Sequence, residues 1–281
     1  MDREKPGMEE DFARLRHFLL SRSGFDLGAY KAEQMRRRLD AAMFRLGVRS
    51  YAELLQRLRE DPKAVQDLID RLTINVSEFF RNPEKFRQLE TVILPKLLQR
   101  WPQLRAWSAG CSYGAEPYSL AILLREVTGR ADHHILATDI DQAILERARR
   151  GEYTPEEVKN VPTQRLRRYF HAQGDLYVVR EEIKSMVEFR RHDLLRDPFG
   201  EGWHLILCRN VVIYFTEEAK AQLYVRFYHA LAEGGVLFIG ATEQILNARA
   251  IGFTSPLPFF YEKAAPSASE AGSARGRVLA P

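Results

Sequence analysis

Between Leu104 and Asp141 the chain reads L-R-A-W-S-A-G-C-S-Y-G-A-E-P-Y-S-L, then an apolar helical stretch, then H-I-L-A-T-D-I-D. This is a strand, a glycine turn, a helix and a second strand ending in an acid. Few folds accept that order, and the doubly wound α/β sheet is the foremost. Gly110 and Gly114 remove side chains where a backbone must approach a ligand. Asp139 falls at the end of the second parallel strand, where a carboxylate can accept both hydroxyls of a ribose. The glycine spacing is not G-x-G-x-x-G, and Glu116 stands where a pyrophosphate would sit. A carboxylate there repels a dinucleotide and suits a cationic nucleoside. S-adenosylmethionine, with a sulfonium and an ammonium, is the cofactor these residues imply.

With 281 residues the chain has room for one large or two modest domains. No apolar run approaches the ~20 residues of a membrane span. The start, M-D-R-E-K-P-G-M-E-E-D, carries no apolar signal core, so a cytoplasmic protein without membrane insertion is expected. Cys111 and Cys208 are the only cysteines. They make no disulfide framework and, without histidines at ligand spacing, no metal site. Residues 1–100 hold 20 Lys and Arg against 16 Asp and Glu, so the net charge of +4 lies in the N-terminal third. A basic flank implies an acidic partner.

Residues 9–72 read as helices. One is expected from Ala29 to Leu46, with Met35, Leu39, Ala42 and Leu46 as its apolar stripe and Gly47 as its stop. Lys31, Arg38 and Arg45, seven apart, form a basic stripe beside it, with Arg36 and Arg37 adding density. Ser50 and Glu53 make a capping box for the next helix. Asn82-Pro83 opens a helix toward Arg100 that Pro95 should kink or split. Strand 104–109, helix 115–127, strand 134–139 and helix 141–150 follow. Thr163 is a candidate helix cap. L-Y-V-V and M-V-E-F-R within 171–193 read as short antiparallel strands. Strand 204–209, helix 216–232, strand 236–240 and a hairpin around Phe253 and Phe259–Tyr261 close the pattern. The Ala-, Ser-, Gly- and Pro-rich segment 264–281 is expected to be disordered. The resulting division is a helical domain over 1–76, a linker helix over 77–100, and a Rossmann-like domain over 101–263 with a β-insertion at about 171–191.

Five segments converge: N-V-S-E-F-F-R (75–81), S-A-G-C-S-Y-G-A-E-P-Y-S (108–119), A-T-D-I-D (137–141), H-D-L-L (192–195), and C-R-N-V-V-I-Y-F (208–215) with G-G-V-L-F-I-G-A-T-E ending at Glu243. In order and spacing they resemble the chemotaxis receptor glutamate methyltransferases, the CheR family, over about residues 10–262. The resemblance implies an S-adenosylmethionine-dependent methyltransferase, yielding S-adenosylhomocysteine and a glutamate methyl ester. It implies cofactor contacts at Asn75, Ser77, Arg81, Gly110, Glu116, Asp139, Asp193, Leu194, Arg209 and Asn210. It places Arg81 and Tyr214 at the reacting carboxylate. Asp193 departs from the family's asparagine: it loses an amide donor and adds a charge. The implied partner is the acidic helical bundle of a chemoreceptor, met by Lys31, Arg37, Arg38 and Arg45. The loop H-A-Q-G-D-L is short, so independence of a receptor's C-terminal tether peptide is expected; separately, a monomer is expected.

Two other readings compete. A nucleic-acid methyltransferase would suit the pI near 9.0, but R-N-V-V follows the fourth strand where base-amino methylation usually shows N-P-P-[YF]. A non-catalytic cofactor-binding module is opposed by Arg81, Asn210 and Tyr214. Cys111, Cys208, Phe79 and Phe80 read as packing residues, His133 and His134 as a loop pair, and Asp141 as the cap of helix 141–150.

Overall fold

The structure, a computed structural model, describes residues 6–73 and 75–264; the segment 265–281 expected to be disordered lies outside them. Four helices come first: α1 (Pro6–Ser23), α2 (Ala32–Leu46), α3 (Tyr51–Glu60) and α4 (Pro62–Leu72). They enclose one core that includes Leu15, Leu19, Leu39, Leu54 and Leu68. The stripe Met35, Leu39 and Ala42 is buried in it, as the helical period requires. Gly47, at φ 69°, ends α2 in the left-handed region, and Ser50 Oγ accepts the Glu53 N–H to start α3. α2 begins three residues later than its periodicity suggests. Leu27–Ala29 forms a 3-10 turn, and Tyr30 is extended because it pairs as an antiparallel bridge with Phe215.

Asn82-Pro83 opens a helix as expected, so the linker segment 77–100 is helical only from Pro83. Phe80 and Asn82 hold φ of 50° and 59°, which no helix allows. α5 (Pro83–Gln88) passes through a π-helical turn, Leu89–Ile93, into α6 (Leu94–Arg100). Pro95 has no N–H to donate and its ring crowds the carbonyl four residues back, which widens the helix there.

The second domain runs β1 (Arg105–Ala109), α7 (Ala115–Thr128), β2 (His134–Asp139), α8 (Gln142–Arg150), β3 (Glu152–Tyr153), α9 (Thr163–Tyr169), β4 (Phe170–Gln173), β5 (Leu176–Val179), α10 (Glu181–Lys184), β6 (Val187–Arg191), β7 (Trp203–Cys208), α11 (Glu217–Ala230), β8 (Leu231–Ile239), α12 (Ala248–Ile251), β9 (Phe253–Leu257) and β10 (Phe260–Lys263). The main sheet has the order β6-β2-β1-β7-β8-β10-β9, with β9 and β10 closing it as an antiparallel hairpin. From β6 to β8 the pairs are parallel. This is the doubly wound sheet that the strand–turn–helix pattern implies. Its two faces carry separate cores, one around α5 to α7 and the insertion, the other around α11.

Two local readings change. M-V-E-F-R is not part of the antiparallel insertion: β6 pairs parallel with β2, from Ile135 against Val187 to Asp139 against Arg191. The edge of β2 would otherwise be unpaired, and Phe189 packs against Ala137 and Leu145 there. The small antiparallel sheet is β3-β5-β4 instead, so it spans 152–179. Thr163 is the first residue of α9 rather than its cap, and Pro162 precedes it. Among the described residues no helix is long and apolar enough to cross a membrane.

Candidate functional site

The parallel strands deliver their C-terminal ends to one edge of the sheet. β1 continues into Gly110, β2 ends at Asp139, β6 leads into His192–Leu194, and β7 into Arg209 and Asn210. Strand order reverses at β1, with β2 on one side and β7 on the other, and the crevice outside such a reversal is where ligands bind. A crevice with about 880 Å³ of atom-free space, open solvent included, lies there.

Gly110 is required twice over. Its φ is 82°, and a Cβ would stand 2.5 Å from the Val211 side chain. The β1 turn and the loop after β7 therefore touch at this point. Gly114 (φ 90°) has a different reason from the one its spacing suggests. It faces Ala148 and Tyr153 rather than the crevice, so it is a helix-packing glycine.

Asp139 holds the floor. Its Oδ2 accepts the Ser112 N–H at 2.8 Å and its Oδ1 the Asp141 N–H at 3.1 Å. A carboxylate offers about four lone-pair sites, so acceptor capacity remains beyond these bonds for a ribose hydroxyl. Burial outweighs these hydrogen bonds and lifts the Asp139 carboxyl to about 6. Asp141 caps α8 through Ile144, as expected, and its other oxygen accepts from Asn75 Nδ2 at 2.6 Å. Asn75 thereby fixes the segment joining the two domains while lining the crevice. Asp193 and Leu194 line the wall; Asp193 Oδ1 accepts the Leu195 N–H, and burial raises its carboxyl.

Arg209 and Glu116 form a buried pair at 3.4 Å, and Ser108 Oγ donates to the other Glu116 oxygen at 2.8 Å. Arg209 also donates to the Arg81 carbonyl and to Asn82 Oδ1, and lies over the Phe238 ring. Burial raises the Glu116 carboxyl and lowers the Arg209 guanidinium, in each case against the opposing effect of the partner. Glu116, Ser77 and Arg81 do not line the crevice. Glu116 is held behind Arg209, the Ser77 carbonyl accepts from Tyr113, and Arg81 reaches Glu116 and Arg209 electrostatically.

The helical domain forms the opposite wall with Tyr30, Lys31, Gln34, Met35 and Arg38. The Arg38 guanidinium donates to the Leu72 carbonyl at 2.5 Å and stands 5.8 Å from the centre of the Tyr214 ring. Arg37 faces away and pairs with Glu33 on its own helix, and Arg45 is exposed two turns on. So of the basic stripe, Lys31 and Arg38 belong to the crevice, and Arg37 and Arg45 to the surface beside it.

Sequence reasoning missed Tyr30, Gln34, Ser112 and His192, all of which line the crevice. Tyr30 stacks on Phe25 and meets the Phe215 ring at a tilt. It also missed the task of Glu243, a buried carboxylate that accepts the N–H groups of Asn210 at 3.1 Å and Gly240 at 2.5 Å. It ties the ends of β7 and β8 together and holds Asn210 at φ 60°. The one available signal was an acid closing an otherwise apolar strand segment.

The residues present fit S-adenosylmethionine. Ser112 Oγ, His192 Nδ1, Arg209 Nε and Asn210 Oδ1 are buried without a partner among the described residues, and all four residues line this crevice. Buried polar atoms are otherwise nearly always satisfied, so such a cluster marks where a polar ligand belongs. Two crevice carboxylates, Asp139 and Asp193, and the free Asn210 oxygen give it the acceptor character that a cationic nucleoside needs.

Comparison with known proteins agrees. Residues 75–255 match the S-adenosylmethionine-binding domain of the CheR methyltransferases, and residues 10–73 match their all-alpha domain. A chemotaxis protein methyltransferase of Listeria innocua is 42% identical over 259 residues, which is 92% of this chain and 99% of that protein. Its counterpart in Listeria monocytogenes is 41% identical over the same shares, and chemotaxis protein methyltransferase 1 of Pseudomonas aeruginosa is 36% identical over 84% of this chain and 91% of its own. A sheet-edge crevice with an acid floor, roofed by a helical domain, and a match that spans both domains lead to one assignment: the chain belongs to the CheR family of S-adenosylmethionine-dependent methyltransferases.

Proposed function

We propose that this chain methylates glutamate side-chain carboxylates on the cytoplasmic helical bundle of chemoreceptors, forming the methyl esters used in chemotactic adaptation. The bound cofactor supplies an electrophilic methyl group on its sulfonium. A glutamate with its reference pKa of about 4.3 is already ionised at neutral pH, so no general base is needed. The protein has to align the two groups and exclude water; alignment alone is worth ~7–11 kcal/mol in favourable cases. In this reading Asp139 receives the ribose, and Asp193, Leu194 and His192 receive the adenosine side. Asn210 faces the cationic end. Arg81 stands outside the crevice lining and acts through its charge beside Glu116 and Arg209, while Tyr214 orients the substrate carboxylate. Residues 1–76 serve as the docking domain, and no tether peptide is required.

The observation that carries this reading is the composition of the two crevice walls. Asp139, Asp193 and the free Asn210 oxygen line the sheet side, with Arg209 beside them, while Lys31 and Arg38 come from the helical wall, Arg38 close to the Tyr214 ring. The acids suit a cationic cofactor, and Lys31 and Arg38 suit an anionic substrate group. The test is transfer of tritiated methyl from S-adenosylmethionine to receptor-containing membranes, followed by mild alkali. Release of labelled methanol supports an ester; alkali-stable label on protein or nucleic acid refutes it.

A further inference from the structure

Tyr30 belongs to the helical domain, yet it lines the crevice at the sheet edge. Its main chain is fixed there. An antiparallel bridge joins it to Phe215, and its N–H donates to the Leu27 carbonyl at 3.4 Å. Its ring is fixed too. The Phe25 ring stacks on it at 5.1 Å between centres, and the Phe215 ring meets it at 4.9 Å with a tilt of 56°. Phenylalanine would serve that packing equally well, so the hydroxyl needs its own explanation.

A tyrosine packed among aromatic rings ordinarily finds a hydrogen-bond partner for its O–H, because the ring is apolar and the tip is not. The Tyr30 hydroxyl has none among the described residues. Two acids of the crevice stand near it, Asp193 on the wall and Asp139 on the floor. Burial, then Asp193 and Asp139, push the hydroxyl pKa far above its ordinary value, so it keeps its proton and can donate. The acids take their own hydrogen bonds elsewhere: Asp139 accepts from Ser112 and Asp141, and Asp193 from Leu195. All three side chains border the same crevice, so a ligand lying against both acids is brought against this hydroxyl.

We propose that Tyr30 is a cofactor-binding residue: its hydroxyl hydrogen-bonds the nucleoside part of S-adenosylmethionine, so the helical domain forms part of the cofactor site. This rests on the reading of Asp139 and Asp193 as the ribose and adenosine contacts, and not on which group receives the methyl. The nucleoside is the part concerned because those two acids are the ones beside Tyr30. A purine and a ribose both offer acceptors to a phenol. The bridge to Phe215 and the stack on Phe25 hold the donor in place before the ligand arrives, so little ordering is needed on binding.

The experiment compares the wild type with Tyr30→Phe, which keeps the ring and its packing. Titration calorimetry measures the affinity for S-adenosylhomocysteine. Competition against it measures the affinity for methylthioadenosine, which has the nucleoside but no amino-acid end. Urea unfolding of both proteins is the control. Tyr30→Phe is expected to weaken both ligands equally, by about fivefold, as the loss of one hydrogen bond does. The unfolding midpoint should not fall, because the hydroxyl has no partner in the protein to lose. Unchanged affinity for both ligands overturns the proposal. So does a loss confined to S-adenosylhomocysteine, which would place the hydroxyl at the amino-acid end, or a loss matched by a lower unfolding midpoint, which would make the effect one of packing. If the wild type itself binds neither ligand, the assignment of the crevice fails and the proposal with it, a result distinct from equal binding by the two proteins.

Discussion

The main-chain N–H of Lys31 donates to the carbonyl of Tyr214 at 2.9 Å. A residue of the helical domain thus holds the residue expected to orient the substrate, and a second bond, from Thr216 N–H to the Ala29 carbonyl at 2.9 Å, completes the bridge. Lys31 has φ −59° and Tyr30 before it is extended, both compatible with proline at position 31. Lys31→Pro should delete that hydrogen bond, and Lys31→Ala should keep it. The difference between the two variants is expected to be about 1 kcal/mol in stability. A larger fall in kcat in the proline variant would show that the bridge positions Tyr214; equal kcat values would show that it does not.

Asp139 should make cofactor binding and stability respond to pH in opposite senses. Its carboxyl is raised to about 6, chiefly by burial. The folded state then binds the proton more tightly than the unfolded state. The stability this group contributes is whole below the ordinary carboxylate range and is lost as the pH rises through about 6. Affinity for S-adenosylhomocysteine should fall as the pH drops through the same region, if, as proposed, the ionised form accepts the ribose hydroxyls. Calorimetry between acid and neutral pH checks this, and Asp139→Asn should bind weakly with a flat profile.

Glu116→Gln should destabilise the protein strongly. It leaves the Arg209 guanidinium buried without its carboxylate, at an expected ~3–5 kcal/mol. Urea unfolding followed by far-UV circular dichroism measures the change. A loss under about 1 kcal/mol would mean that the contacts of Arg209 with the Arg81 carbonyl, Asn82 and Phe238 suffice without the pair.

Glu243→Ala should orphan the Asn210 and Gly240 N–H groups, costing about 1–3 kcal/mol for each group left buried without a partner. Its mark on catalysis should exceed its mark on folding, because Asn210 is held at φ 60° by that carboxylate. The check is kcat under conditions where the variant remains folded, with Glu243→Gln expected to recover part of the loss.

Arg81→Ala should abolish turnover while leaving the fold intact, because its side chain is only part-buried and its carbonyl, not its guanidinium, receives Arg209. Near wild-type turnover in that variant would place Arg81 outside the chemistry.

Gly110, Asp139 and Asn210 were legible from residues alone, Asp193, Leu194 and Arg209 only through the family resemblance, and of the helical wall only the basic Lys31 and Arg38. Glycine and acid mark strand ends because backbone geometry and ligand chemistry restrict what can stand there. Gly110, Asp139 and Asn210 therefore announce themselves. Tyr30 does not: it lies in an ordinary helical neighbourhood, and its place in the crevice depends on pairing with Phe215, far along the chain. Glu116 illustrates a subtler limit. Its position after the glycine turn was readable, but its charge was read as facing the ligand, whereas Arg209 from another strand end covers it. Likewise M-V-E-F-R has the alternation of any half-exposed strand, and only the open edge of β2 decides which sheet it joins.

The most direct measurement is mass spectrometric location of the methyl group after reaction of this protein and S-adenosylmethionine with receptor-containing membranes. The account predicts methyl esters on glutamate side chains of the receptor's helical bundle, absent when Asp139 or Tyr214 is replaced by alanine. Methyl groups on nitrogen, or on nucleic acid, would contradict it.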